Sequence, residues 1–323
     1  MISTFAWLCS GVGAAPKLTE IEVPLLAPDE LLLRVSATGL NFADLLMIDG
    51  KYQATPPTPF VLGMEVAGIV MAVGKDVSSF SIGERVMGVP GHGGLATYAA
   101  IPASALRPIA PTMDDATAAG FQIAYGTSHL ALTHRARLQA GETLAVLGAS
   151  GGVGLTAVEV GRQLGARVIA VARGPEKLSV AKAAGADELV DSEDEALLER
   201  LKSLGPIDVV YDAVGGNIGE TALRVMAPDG RFIVIGFASG RPPEIKSNHL
   251  LVKNQTVIGF YWGGYQSFNP DAVDASIAEL SKWHSTGRIR PHVSHVLPFK
   301  EALTGLELLR SRKSTGKVVI THP

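Results

Sequence analysis

The sequence predicts an α/β protein in which a β-rich domain is joined to a doubly wound parallel sheet. Three observations lead there. Over roughly the first 120 residues, short apolar runs are broken by proline and glycine clusters such as Pro56-Pro57-Thr58-Pro59 and Pro90-Gly91-His92-Gly93-Gly94. From about Gly141 the rhythm changes to buried strands alternating with helical stretches. Between the first of those strands and the helix after it lies a glycine run, Gly148-Ala149-Ser150-Gly151-Gly152-Val153-Gly154.

Taken in order, Phe5 to Ala15 is apolar with no basic residue before it, so it reads as a first strand and turn rather than a secretion signal. Glu30 to Ala37, Val66 to Val73, Ile82 to Val86 and Ala96 to Ile101 continue as strands. In the second region Thr143 to Leu147, Arg167 to Ala172 and Glu188 to Val190 are the first three strands. Pro175 starts a helix and Gly185 ends it, and Ser192 with Glu195 is expected to form a capping box for the next one. Asp208 to Asp212, Arg231 to Ile235 and Thr256 to Phe260 complete six strands, with Pro228-Asp229-Gly230 turning into the fifth. A helical pattern then runs to Gly287, followed by a strand at His292 to Leu297, a helix from Phe299 and a last strand at Lys317 to Thr321.

Composition narrows the function. With 28 basic and 31 acidic residues in 323, and no long run of either sign, the chain lacks the basic excess that nucleic-acid binding needs. Hydrophobic residues at 47% against charged ones at 18% supply a large core and argue against disorder. A single cysteine, Cys9, excludes an internal disulfide and a cysteine-based zinc site, and a reducing cytoplasm is the expected location. The longest uncharged stretch, Val86 to Leu106, carries Pro90, Pro102 and four glycines, so it is no membrane helix.

A glycine run between a strand and a helix suits a pyrophosphate, because it lets the ligand reach backbone N–H groups at the helix N-terminus. Ser150, Gly151, Gly152 and Val153 are its candidate contacts. The same run holds Gly148-x-Ser150-x-Gly152, the spacing of a serine-hydrolase nucleophile elbow, with Ser150 as nucleophile. Gly154 favours the dinucleotide reading, since close helix–strand packing requires it and an elbow does not. At the end of the second strand, where an NAD enzyme carries an acid, Ala172 stands, followed by Arg173 and, one turn later, Lys177. Two cations at that place favour NADPH through its 2′-phosphate.

The chain resembles the medium-chain dehydrogenase/reductase superfamily, and within it the zinc-independent quinone oxidoreductases of zeta-crystallin type. Four segments carry the resemblance: Gly39-Leu40-Asn41-Phe42-Ala43-Asp44, Gly63-Met64-Glu65-Val66-Ala67-Gly68, Gly141 through Gly154, and Gly316-Lys317-Val318-Val319. Glu159 and Ala145 depart from the usual Gln and Leu. The resemblance implies a GroES-like catalytic domain (residues 1–121 and 264–323), a Rossmann domain (residues 122–263) and an active site in the cleft between them. It also implies a homodimer joined through the last Rossmann strand, near Gln255 to Trp262. Zinc-dependent relatives carry Cys where Asn41 stands and His where Met64 stands, so no metal is expected.

That family assignment implies hydride transfer from NADPH to a quinone or another α,β-unsaturated carbonyl, a 2-alkenal or enoyl thioester among them; a catalytically silent NADPH-binding protein is the alternative outside enzymology. Asn41 is implied beside the nicotinamide ribose, with Tyr52 a nearby donor, Thr127 at the ribose or amide, and Lys317 among the cofactor contacts. An amide supplies no proton, so Tyr52 or water is expected to deliver it. Gly236 and Phe237 after the fifth strand, and Phe260 and Trp262 after the sixth, lie where ligands bind in such sheets.

Overall fold

In the computed structural model, which describes residues 3–323, the chain forms two units. Of the described residues, the first comprises 3–123 and 291–323, the second 124–290.

The first unit opens with β1 (Ser3–Cys9), paired antiparallel to β2 (Lys17–Glu22). Then come β3 (Glu30–Leu40), α1 (Phe42–Ile48), β4 (Phe60–Val61), β5 (Glu65–Val73), β6 (Arg85–Gly88), β7 (Tyr98–Pro102), β8 (Leu106–Pro108) and α2 (Asp115–Ala119). β6 begins later than the sequence suggests, because Gly83, at φ +90°, turns the chain before it. β3 is the spine, alternating buried and half-buried residues and pairing with β5 and β7. Leu31, Leu33, Val35, Val66 and Val70 make its core, the expected outcome for apolar residues at a period of two.

The second unit begins within α3 (Gln122–Leu130). It continues through β9 (Thr143–Leu147), α4 (Gly152–Gln163), β10 (Arg167–Ala172), α5 (Gly174–Ala183), β11 (Glu188–Asp191), α6 (Leu197–Ser203) and β12 (Ile207–Asp212). α7 (Gly216–Val225), β13 (Met226–Val234), α8 (Ser247–Lys253), β14 (Thr256–Gly259), α9 (Trp262–Phe268) and α10 (Pro270–Ser285) complete it. The six strands are parallel in the order β11-β10-β9-β12-β13-β14, with β14 at one edge. β9 is buried along its whole length, as a strand covered on both faces must be.

Three local expectations are corrected here. Residues 264–290 belong to the parallel-sheet unit, not to the β-rich one: Ser276 of α10 bonds His129 of α3 at 2.9 Å, and Glu159 of α4 accepts the Arg290 N–H at 2.9 Å. Ser192 and Glu195 form no capping box; α6 starts at Leu197, after Asp191 and Asp194 have turned the chain by accepting the Glu193 and Ala196 N–H groups. Pro228-Asp229-Gly230 lies inside β13 rather than before it, with Asp229 at φ +58°.

After residue 290 the chain returns to the first unit as β15 (Val293–Pro298), α11 (Ala302–Arg310) and β16 (Lys317–Thr321). β16 pairs antiparallel to β3, setting Val318 opposite Leu40. The last two strands therefore extend the sheet built on β3, while β1, β2 and β4 form a separate one. No described helix is long and apolar enough to cross a membrane.

Candidate active site

Strand register gathers most of the expected cofactor residues onto one edge of the parallel sheet. Ala172 pairs with Asp191, Leu147 with Val171 and Asp212, and Val234 with Asp212 and Gly259, so all six strands end together. Arg173, the glycine run, Gly236, Phe237 and Phe260 each follow one of those ends.

The glycine run is built as a cradle. Gly148, at φ +74°, bends the chain out of β9, and its N–H and that of Ala149 donate to Val171 O at 3.0 and 3.1 Å. A Cβ on Gly154 would lie 2.0 Å from Gly148 O, so α4 starts against the strand only because residue 154 has no side chain. Gly151 is the N-cap of α4 and no side chain caps the helix, which leaves the first-turn N–H groups for an anion. These residues fit a dinucleotide pyrophosphate. Ser150 is buried, and its backbone is not in the left-handed region. The Gly154 packing distinguishes the loop from a hydrolase elbow, whose nucleophile sits on a strained turn.

Ala172 is buried, and Arg173, the N-cap of α5, is exposed. Its Nε lies 2.8 Å from Glu193 Oε1. Lys177 is half-buried one turn later. Phe237 is exposed, whereas Phe260 and Trp262 are buried within their unit. Phe260 packs on Tyr265 with ring centroids 5.3 Å apart, and the Trp262 indole covers Gly126, where a Cβ would lie 2.6 Å from its Nε1. Packing inside the unit is thus their observed role. Thr127 is buried in α3 beside Ser128, whose Oγ bonds Val153 O, Thr156 Oγ1 and Tyr211 Oη.

In the first unit, Asn41 and Lys317 meet. Lys317 Nζ donates to Asn41 Oδ1 at 2.7 Å and to Glu65 Oε2 at 3.1 Å, while Asn41 Nδ2 donates to Gly39 O at 3.1 Å and Glu65 Oε2 at 3.3 Å. Glu65 Oε1 accepts the Ile123 N–H at 2.9 Å. The Lys317 ammonium and Glu65 carboxylate are both buried. Lys317 therefore uses two of its three N–H bonds to hold Asn41 and Glu65. Tyr52 lies beyond α1, half-buried against the Leu45–Leu62–Leu306 core.

Glu65, Asp44 and Glu193 escaped the sequence reading. Asp44 Oδ2 accepts the Asn41 N–H at 2.8 Å at the start of α1. Burial pushes its carboxyl from 3.8 up to about 7, against the opposing effects of the Asn41 N–H bond and Lys317. The folded protein then binds a proton that the unfolded chain releases near pH 4, so this group lowers stability progressively from about pH 4 to pH 7 and no further above that. Asp44→Asn is expected to flatten that segment of the stability–pH curve. Urea midpoints at pH 5 and pH 8 check it, and an unchanged difference between them would refute the assignment.

Zinc would need thiolate, imidazole or carboxylate ligands open to it. Asn41 offers an amide already bonded to an ammonium, and the neighbouring Met64 offers a thioether. No group of three or more His, Cys, Asp or Glu side chains able to hold a metal occurs among the described residues. Cys9 is buried, and burial, then the Asp44 charge, pushes its thiol up to about 11.

Comparison with known proteins agrees with this arrangement. Residues 27–111 match the alcohol dehydrogenase GroES-like domain, and residues 152–278 the family described as zinc-binding dehydrogenase. Quinone oxidoreductase-like protein 2 of Bos taurus is 37% identical over 98% of this chain and 92% of its own length. Quinone oxidoreductase of Sus scrofa is 30% identical over 94% and 92%. Among solved structures, the quinone oxidoreductase of Thermus thermophilus, described also in complex with NADPH, superposes with a TM-score of 0.87 at 34% identity, covering 98% of this chain and 99% of that one.

Proposed function

Because the chain belongs to the quinone oxidoreductases of the medium-chain dehydrogenase/reductase family, we propose that it is an NADPH-dependent, zinc-independent reductase of quinones or other α,β-unsaturated carbonyls. The observation that carries this reading is the uncapped start of α4 behind the Gly148–Gly154 contact, with Arg173 rather than an acid following β10.

NADPH, when bound, supplies the hydride; recognition, orientation and proton management fall to the chain. The N–H groups at the start of α4 take the pyrophosphate, where the helix dipole favours negative charge. Arg173 and Lys177 take the 2′-phosphate, and Gly236 with Phe237 borders the cofactor along the same sheet edge. Asn41, locked by Lys317, Glu65 and Gly39, presents a fixed amide oxygen. The Tyr52 hydroxyl, or water, delivers the proton to the developing oxyanion. With no thiolate or imidazole at positions 41 and 64, that oxyanion is stabilised by hydrogen-bond donors rather than by zinc.

Arg173→Ala tests the cofactor assignment. A charge-assisted hydrogen bond contributes about 1.5–3 kcal/mol, and a side chain half exposed to water sits at the low end. The Michaelis constant for NADPH should rise about tenfold while that for NADH changes little. Equal losses for both cofactors would assign Arg173 to the fold or the pyrophosphate instead.

A further inference from the structure

We propose that Glu193 sets cofactor preference by occupying Arg173 in the free protein, so that the 2′-phosphate of NADPH must displace a built-in carboxylate. The inference rests on the NADPH reading above and adds to it a residue that follows a different strand.

The contact is assembled by more than a chance surface pairing. β10 and β11 end side by side, with Ala172 opposite Asp191. Ser192 N–H donates to Ala172 O at 3.0 Å, tying the segment after β11 to the end of β10. Asp191 Oδ1 then accepts two N–H groups, that of Gly174 at 3.1 Å and that of Glu193 at 3.0 Å. Gly174 follows Arg173, so one carboxylate oxygen clamps the backbone beside both partners of the ion pair. With both backbones fixed, the Arg173 Nε to Glu193 Oε1 contact at 2.8 Å forms with little further ordering. Asp191 is held ionised by those N–H bonds, which lower its pKa.

Two carboxylates thus stand at the end of β11 where the 2′-phosphate is to bind beside Arg173. A dianionic phosphate replaces Glu193 on the guanidinium, because it offers more charge and bidentate geometry. Its affinity is reduced by the cost of breaking the pair and by repulsion from the displaced carboxylate. NADH, which lacks that phosphate, leaves the pair intact. Glu193 accordingly narrows the margin between the two cofactors without touching the reacting end.

The test is a titration of the whole protein with NADPH and NADH, for the unaltered chain, Glu193→Gln, Arg173→Ala and the double variant. Glu193→Gln is expected to tighten NADPH about two- to fivefold, the range of an exposed ion pair, and to leave NADH unchanged. In the Arg173→Ala background that gain should largely vanish, because Glu193 acts through Arg173. An unchanged NADPH affinity in Glu193→Gln, with the unaltered protein still preferring NADPH, would overturn the latch and spare the cofactor assignment. The same gain with and without Arg173 would also overturn it, by making Glu193 a distant charge. If the unaltered protein binds NADH as tightly as NADPH, and Arg173→Ala affects neither, the cofactor assignment fails and takes the latch with it.

Discussion

Gly154→Ala is expected to remove dinucleotide binding and to destabilise the parallel-sheet unit. A methyl there would sit 2.0 Å from Gly148 O and 2.7 Å from Gly148 C, both backbone atoms. No rotamer relieves the clash, so either α4 retreats or the Gly148 turn unbends. Forcing an atom into so close a packing costs about 1–3 kcal/mol. Retreat also moves the first-turn N–H groups off the pyrophosphate, and displacements of about 1 Å at such sites cost on the order of a hundredfold. Isothermal titration with NADPH and a urea melt on the same sample measure both effects. Gly151→Ala is the control for the urea melt alone, because its Cβ would meet nothing nearer than Gly148 O at 3.5 Å. Normal binding in Gly154→Ala would mean that the loop is not the pyrophosphate cradle.

Lys317→Met should be the more damaging change to the β-rich unit. It leaves Glu65, fully buried, with only the Ile123 N–H and the long Asn41 Nδ2 contact for its carboxylate. Removing one partner of a buried ion pair costs about 3–5 kcal/mol, mainly because the other charge stays buried without compensation. The Glu65→Gln/Lys317→Met double variant should recover much of that loss, since no buried charge remains. Denaturant unfolding of the two single variants and the double variant gives the coupling directly. A Lys317→Met variant as stable as the unaltered protein would show that water already solvates the pair.

The contrast between these two sites shows what a sequence makes legible. The glycine cradle is local: seven consecutive residues between a strand and a helix show its shape, and Gly154 stands where the packing demands it. Both the parallel-sheet unit and the terminal strand Lys317–Thr321 are readable from apolar periodicity and turn residues. The Lys317–Glu65 pair is not, because 252 residues separate its partners and nothing in either neighbourhood points to the other. Nor does the sequence show that the Lys317 ammonium, expected at the cofactor, anchors Asn41. β2 goes unseen because Lys17–Glu22 is largely exposed and carries charge where an apolar strand signal would be. The loop after β11 misleads for a different reason: Ser192 and Glu195 have capping-box spacing, but Ser192 N–H is taken by Ala172 O, and Asp191 and Asp194 turn the chain by accepting the Glu193 and Ala196 N–H groups. Phe260 and Trp262 follow the expected strand end yet turn inward, a choice set by Gly126 and Tyr265 elsewhere in the unit.

The proposed reaction is the transfer of a hydride from NADPH to a conjugated carbonyl without a metal. Mixing the protein with NADPH and, in turn, a p-quinone, a 2-alkenal and an enoyl thioester, with a chelator present throughout, tests it most directly. NADPH should be oxidised in equal amount to the acceptor reduced, for at least one of the three, at a rate that prolonged chelation does not alter. NADPH that binds but is oxidised by none of them, or turnover that chelation abolishes and zinc restores, would contradict it.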